Sequence, residues 1–166
     1  MMDMIQDIAD RLAITDQIYR YGRAMDRIDH ALGYTIWHED GTADYGHHYQ
    51  GSGRGFIDHV CAQHAGLQQH SHQMSNIIIE LDADNAGSET YVTATLRMER
   101  GDRLMQMVVI SRYVDRWSKR AGRWALDHRI AVMEMDEMRE VVPMTVHHQA
   151  RRDRQDVSYT VLKKGV

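Results

Sequence analysis

The chain has 166 residues, 43% of them hydrophobic, and carries 24 acidic against 20 basic side chains for a formal net charge of −4. That length supports one domain with a sizeable core, and the mild negative charge gives no electrostatic reason to expect nucleic acid. Cys61 is the sole cysteine, which excludes an internal disulfide and an all-thiolate zinc site.

Residues 1–13 are interrupted by Asp3, Asp7, Asp10 and Arg11, so they do not read as a signal peptide. No apolar run reaches membrane-spanning length, and a cytoplasmic protein is expected. Ile5, Ile8, Ala9, Leu12, Ile14, Ile18, Gly22 and Met25 recur at three- and four-residue steps, predicting an amphipathic helix over 3–30. Asp26 falls on its apolar side, where a solvated carboxylate is out of place. A short helix is predicted over 32–38, a strand and turn over 41–49, and a loop at Gly51-Ser52-Gly53. A second main helix follows at 56–67, with Ile57, Val60, Cys61 and His64 on one side.

From residue 70 the hydrophobic period becomes two. Strands are expected at 70–83, 87–100, 103–118 and 123–135, separated by the polar turns 82–87, 100–102 and 119–122. Helices first and an antiparallel meander afterwards predict an α+β fold, with a strongly curved sheet wrapped round the N-terminal helices as a cone-shaped barrel. One domain is expected over 1–146, and 147–166 as a charged tail, either solvated or reaching a neighbouring subunit. Met105, Met107, Val109 and Tyr113 are expected on the convex sheet face, leaving it apolar enough for a homo-oligomer, a dimer or trimer.

The chemistry concentrates on the third predicted segment. Alternation puts His70, His72, Met74 and Asn76 on one face. If that face closes over the first helix, His72 meets Asp26. The carboxylate would then hold one ring nitrogen and leave the other free as a base. Spacing alone favours the plainer reading, in which the two residues satisfy one another in the core. Two composition biases matter here. Twelve methionines against one phenylalanine suit core gaps or an adaptable apolar pocket. Eleven histidines, with His47-His48 near His70 and His72 in sequence, leave a multi-histidine zinc or iron site as a second reading. His128 shares alternation with Trp124, Leu126, Ile130 and Val132, which predicts a core or pocket-wall position. Arg112, Arg116 and Arg129 are expected in structural ion pairs.

These stretches, taken in order, carry a resemblance. Met25-Asp26-Arg27, Ile36-Trp37, the His72-to-Asn76 run, SRYVDRW at 111–117 and GRWALDHR at 122–129 resemble the SnoaL-like branch of the scytalone dehydratase and ketosteroid isomerase superfamily. They are also similar to hexachlorocyclohexane dehydrochlorinases. The resemblance covers roughly residues 5–135 and rests on short, scattered motifs. It implies that Asp26 and His72 are an elimination dyad needing no metal or other cofactor. It also implies that Trp37 lines a pocket for a small hydrophobic substrate. Tyr21 stands where the dehydrochlorinases have a cationic residue, a departure that weakens the case for halide release. Tyrosines are common in the dehydratase branch, so Tyr21, Tyr45 and Tyr49 are candidates to bind a carbonyl or a leaving hydroxyl, each with packing as its ordinary role.

The implied activity is a cofactor-independent, dehydratase-like lyase acting on a small apolar cyclic or aromatic compound. Alternatives on the same scaffold are an isomerase, a dehydrohalogenase, a formaldehyde-releasing lyase, or a non-catalytic ligand-binding or small-subunit protein.

Overall fold

A computed structural model of the chain describes residues 2–144 and 149–162. Helix α1 (Met2–Arg27) leads into the short α2 (His30–Thr35), strands β1 (Trp37–Asp44) and β2 (Gln50–Ser52), and helix α3 (Gly53–Ala65). Four long strands follow: β3 (Gln69–Asp82), β4 (Asn85–Arg100), β5 (Arg103–Arg120) and β6 (Arg123–Glu140). A single turn of helix, α4 (Ser158–Val161), lies near the C-terminus. The six strands form one sheet in the order β2-β1-β6-β5-β4-β3, antiparallel except where β1 runs parallel to β6. The α+β expectation holds, with the curved sheet packed round α1 and α3.

Two helix starts are set by side chains that accept an otherwise orphaned N–H. The Asp29 carboxylate accepts from the Leu32 amide at 3.1 Å to begin α2, and the Ser52 hydroxyl accepts from Gly55 at 3.1 Å to begin α3. The predicted helix over 32–38 is shorter than expected, and Trp37 opens a strand instead. Pairing with β6 decides this: the Ile36 carbonyl accepts from Leu126, and Trp37 lies opposite Leu126. The expected loop at 51–53 is the end of β2 and the first residue of α3. Gly53 is required there, because a Cβ at that position would lie 2.1 Å from the Trp37 ring.

Buried residues of α1 run Asp10, Ile14, Ile18, Tyr21 and Met25. Ile5, Ile8 and Leu12, predicted on the inner face, are exposed. The inner stripe instead reaches Asp10, whose carboxylate accepts from the Trp124 indole at 2.7 Å and from the Lys119 ammonium at 2.9 Å.

Three bulges reset which residues face inwards. In β3, two residues stand opposite Thr90 of β4 between Ser75 and Ile78, and Asn76 adopts a left-handed backbone with φ of 48°. In β6, the pairing with β5 skips Asp127 and then Glu134. Since side chains alternate with period two, each extra residue moves the following side chains to the other face. Arg129 therefore enters the core, while His128 and Ile130 face outwards. Tyr113, expected on the convex face with Met105, Met107 and Val109, is buried inside with Asp115 and Trp117, and the unbroken alternation of β5 puts the other three on the same inner face.

The C-terminal segment departs from its expected solvated tail. Residues 147, 148 and 163–166 lie outside the described part. Over 149–162 the chain packs on the helices: Arg152 donates to the His64 carbonyl at 2.8 Å, Tyr159 to Asp29 at 2.8 Å, and Arg23 to the Ser158 hydroxyl at 2.9 Å.

At the centre, Arg129 and Asp115 form a fully buried two-pronged pair, Nε to Oδ1 and Nη2 to Oδ2, both 2.7 Å. The geometry satisfies both carboxylate oxygens, which such a pair needs to offset its desolvation. Removing one partner leaves a buried charge without its counter-ion. Asp115→Ala is expected to cost about 3–5 kcal/mol in urea unfolding, and adding Arg129→Met to that variant should recover part of the loss.

Candidate active site

Asp26 lies in the last turn of α1, and His72 on β3, the edge strand of the sheet. An edge strand has unpaired backbone groups, and here α1 meets them. The His72 amide donates to both Asp26 oxygens, at 3.0 and 3.1 Å, and the His72 ring donates from Nδ1 to Asp26 Oδ1 at 2.7 Å. Two residues away, His70 donates from Nε2 to the Met25 carbonyl at 2.9 Å, while Arg11 reaches the Ile79 carbonyl. The clamp defines a tautomer. With Nδ1 committed to the carboxylate, neutral His72 carries its lone pair on Nε2, and Nε2 has no hydrogen-bond partner among the described residues. The pair is enclosed: 7% of the His72 side chain and 18% of the Asp26 side chain is exposed.

His64 comes from α3 to complete a histidine group, its ring centroid 4.5 Å from His70 and 5.4 Å from His72. Burial, reinforced by the two neighbouring imidazoles, pushes its pKa down to about 3. Burial also lowers that of His70, against the opposing effect of the Met25 carbonyl. His64 is thus neutral at physiological pH.

One and a half turns earlier on α1, about 7.5 Å along its axis, Tyr21 starts a second cluster. Its hydroxyl is 2.9 Å from that of Tyr45, and its ring meets Tyr113 edge-on at 5.6 Å. The Arg129 guanidinium lies 4.3 Å from the Tyr21 ring centre and 4.0 Å from that of Tyr113. Burial raises the pKa of all three phenols. They remain neutral donors beside a cation. Tyr45 and Tyr113, with Ser111, Ala131 and Met133, line a cavity of about 210 Å³ whose rim carries His47 and His48.

The other expected site residues divide. Met74 shares the inner face with His72 and packs on Gly22 of α1, where a Cβ would come within 3.1 Å of its methyl carbon. Trp37 is fully buried beneath Gly53, a core position rather than an open pocket wall. The Tyr49 hydroxyl donates to the Ser52 carbonyl at 3.0 Å, tying the β1–β2 turn to the start of α3. Asn76 is exposed at its bulge. His128 lies on the outer face, its Nδ1 2.7 Å from the Thr42 hydroxyl. Tyr113, Arg129 and His64 are the residues sequence reasoning did not place here. The alternation of Ser111, Tyr113, Asp115 and Trp117 was the available signal for the first. Among the described residues, no three histidine, cysteine or carboxylate side chains converge as a metal site requires.

The SnoaL-like domain family matches residues 6–130, a span containing Asp26, Tyr21, Tyr45, His72 and Arg129. The chain belongs to the SnoaL-like domain family. No curated protein matches it in sequence. Among solved structures, a scytalone dehydratase-like protein of Novosphingobium aromaticivorans superposes with a TM-score of 0.71 at 20% identity, over 89% of this chain and 100% of that one. Hexachlorocyclohexane dehydrochlorinase LinA-type3 of Novosphingobium barchaimii is similar with a TM-score of 0.73 at 15% identity, covering 87% and 98%. The Kfla4162 protein of Kribbella flavida gives 0.72 at 17% identity, over 79% and 95%. At these identities the likeness is one of fold. No helix of the SnoaL-like chain, among the described residues, is long and apolar enough to cross a membrane.

The neutral His64 generates a pH prediction. Its folded pKa lies below its unfolded one, so between about pH 6.5 and pH 3 the unfolded chain binds the extra proton. Stability conferred by the neutral ring is present above that window and lost as pH falls through it. His64→Asn removes this titration. Its unfolding free energy should therefore fall less steeply than the parent's from pH 7 to 4, the slopes differing by up to about 1.4 kcal/mol per pH unit.

Proposed function

We propose that the chain is a cofactor-independent lyase that removes water from a small, largely apolar cyclic or aromatic compound. The observation that carries this reading is the enclosed 2.7 Å contact between Asp26 and His72 Nδ1, which leaves Nε2 as the base. His72 takes a proton from the carbon next to an activating carbonyl or ring, and Asp26 stabilises the imidazolium that forms. As the C–H bond breaks, a C=C bond forms and the β-hydroxyl departs. It takes the proton back from His72 Nε2 and leaves as water. The neutral phenols of Tyr21 and Tyr45 are suited to hydrogen-bond the activating carbonyl or the departing oxygen. Arg129, held by Asp115, packs against the Tyr21 ring and fixes its position. The names of two structural neighbours, a dehydratase and a dehydrochlorinase, both describe eliminations, which accords with this chemistry.

The test is a panel of β-hydroxy cyclic ketones and aromatic analogues, followed by ¹H NMR for loss of the acidic proton and formation of the alkene. Against a turned-over compound, His72→Ala and Asp26→Asn are each expected to lose about a hundred- to ten-thousand-fold in kcat/KM. Because the two side chains act as one unit, the double variant should be scarcely worse than either single one. A folded His72→Ala protein that keeps most of its rate would defeat the assignment.

We also propose that the chain self-associates through the outer face of the sheet. Tyr91, Val114 and Ile130 keep 37%, 38% and 42% of their surface exposed there. Sedimentation at micromolar concentration should give more than the 19.3 kDa of one chain, and Val114→Lys with Ile130→Lys should return the monomer.

A further inference from the structure

A second cavity, of about 500 Å³, opens on the other side of the dyad. Alternation puts His70 and His72 on the inner face of β3, whereas Gln69 and Ser71 face outwards with Thr95 and Arg97 of β4. Those outward side chains form its floor, Asp26 and Arg27 one wall, and the docked stretch 150–152 its roof. Four arginines line it.

Two of them are already neutralised. Arg27 faces Asp156 at 3.4 Å, and Arg151 holds Asp153 at 2.6 Å. The other two have only neutral partners among the described residues. Arg97 donates to the side-chain carbonyls of Gln106 at 3.0 Å and Gln69 at 3.2 Å, and Arg152 donates to the His64 backbone carbonyl at 2.8 Å. These contacts orient both guanidinium groups without cancelling their charge. Asp26 is the one carboxylate of the lining, and both its oxygens already accept from His72. A concave site with two oriented guanidiniums outside any ion pair, against the single charge of Asp26, is built to receive a planar or tetrahedral oxyanion.

We propose that this cavity binds a small anion, a carboxylate or inorganic oxyanion, held between Arg97 and Arg152. The cavity borders Asp26 and His70 but shares no residue with the tyrosine-lined cavity, and anion binding there does not depend on the proton-transfer reading. Its occupant borders Asp26, so binding is felt at the imidazoles that Asp26 and Met25 hold.

The experiment titrates the full chain with sodium sulfate, benzoate or acetate at matched ionic strength in chloride, reading imidazole signals by NMR and affinity by calorimetry. Saturable binding at millimolar concentration or below is expected. It should shift His70 and His72 and leave His128, on the far strand β6, unmoved. Arg97→Gln and Arg152→Gln should each weaken it about tenfold or more, the size of one lost charge-assisted contact. Arg97→Lys should retain part of the affinity, and Arg112→Gln, whose arginine is paired with Glu89 and Glu134, all of it. Benzoate binding more tightly than sulfate identifies an organic acid as the occupant, and the reverse order an inorganic oxyanion. Absence of saturable binding to folded protein, or affinity unchanged by both glutamine variants, overturns the proposal.

Discussion

The Asp26 carboxylate is the point on which the arrangement turns. It accepts from the His72 backbone and from the His72 ring at once. The first contact closes part of the open edge of the sheet, and the second selects the tautomer of the imidazole. The placement of β3 and the tautomer of His72 are thereby coupled through one side chain. Any movement of β3 along α1 that breaks the backbone contact also misaligns the ring. The adjacent bond from His70 to the Met25 carbonyl repeats the clamp one strand repeat away. An imidazole held by two contacts from one rigid helix needs little reorganisation for the proton transfer proposed for it.

The second organising element is the buried cation. Arg129 is neutralised by Asp115 and faced by the rings of Tyr21 and Tyr113, with Trp37 slightly farther at 5.8 Å. Burial alone would favour the neutral guanidine, yet the ion pair more than offsets this and holds its pKa well above the ordinary value. The interior thus carries a fixed ion pair beside phenols that burial keeps protonated. Tyr21 and Asp26 ride on the same helix, so the phenol cluster and the His72 clamp keep a constant spacing.

The C-terminal stretch links this interior to the surface. Asp29 both caps α2 and accepts from Tyr159, so the turn after α1 and the docked segment share one carboxylate. Arg152 joins the same segment to the backbone of His64. The outer cavity exists because this stretch, docked on the helices, leaves residues 150–152 across a gap from Gln69 and Ser71 of β3, and its charge comes from side chains on both sides of that gap.

Much of this was legible in the residues. The long amphipathic helix, the four alternating strands and their polar turns followed from period and turn chemistry, which are local properties. Asp26 and His72 were legible because a carboxylate on an apolar helix face and an imidazole on an alternating strand both need a partner. What the tertiary structure decided was parity and reach. Asn76 left the inner face, His128 moved outside and Arg129 moved in, because single-residue bulges invert alternation and are set by pairing between strands. Tyr113 joined Tyr21 and Tyr45 on the inner face of the sheet, and residues 149–162 found their place only against groups 88 to 135 positions away. Local periodicity determined the elements and the candidate dyad; long-range strand register determined which other side chains surround it.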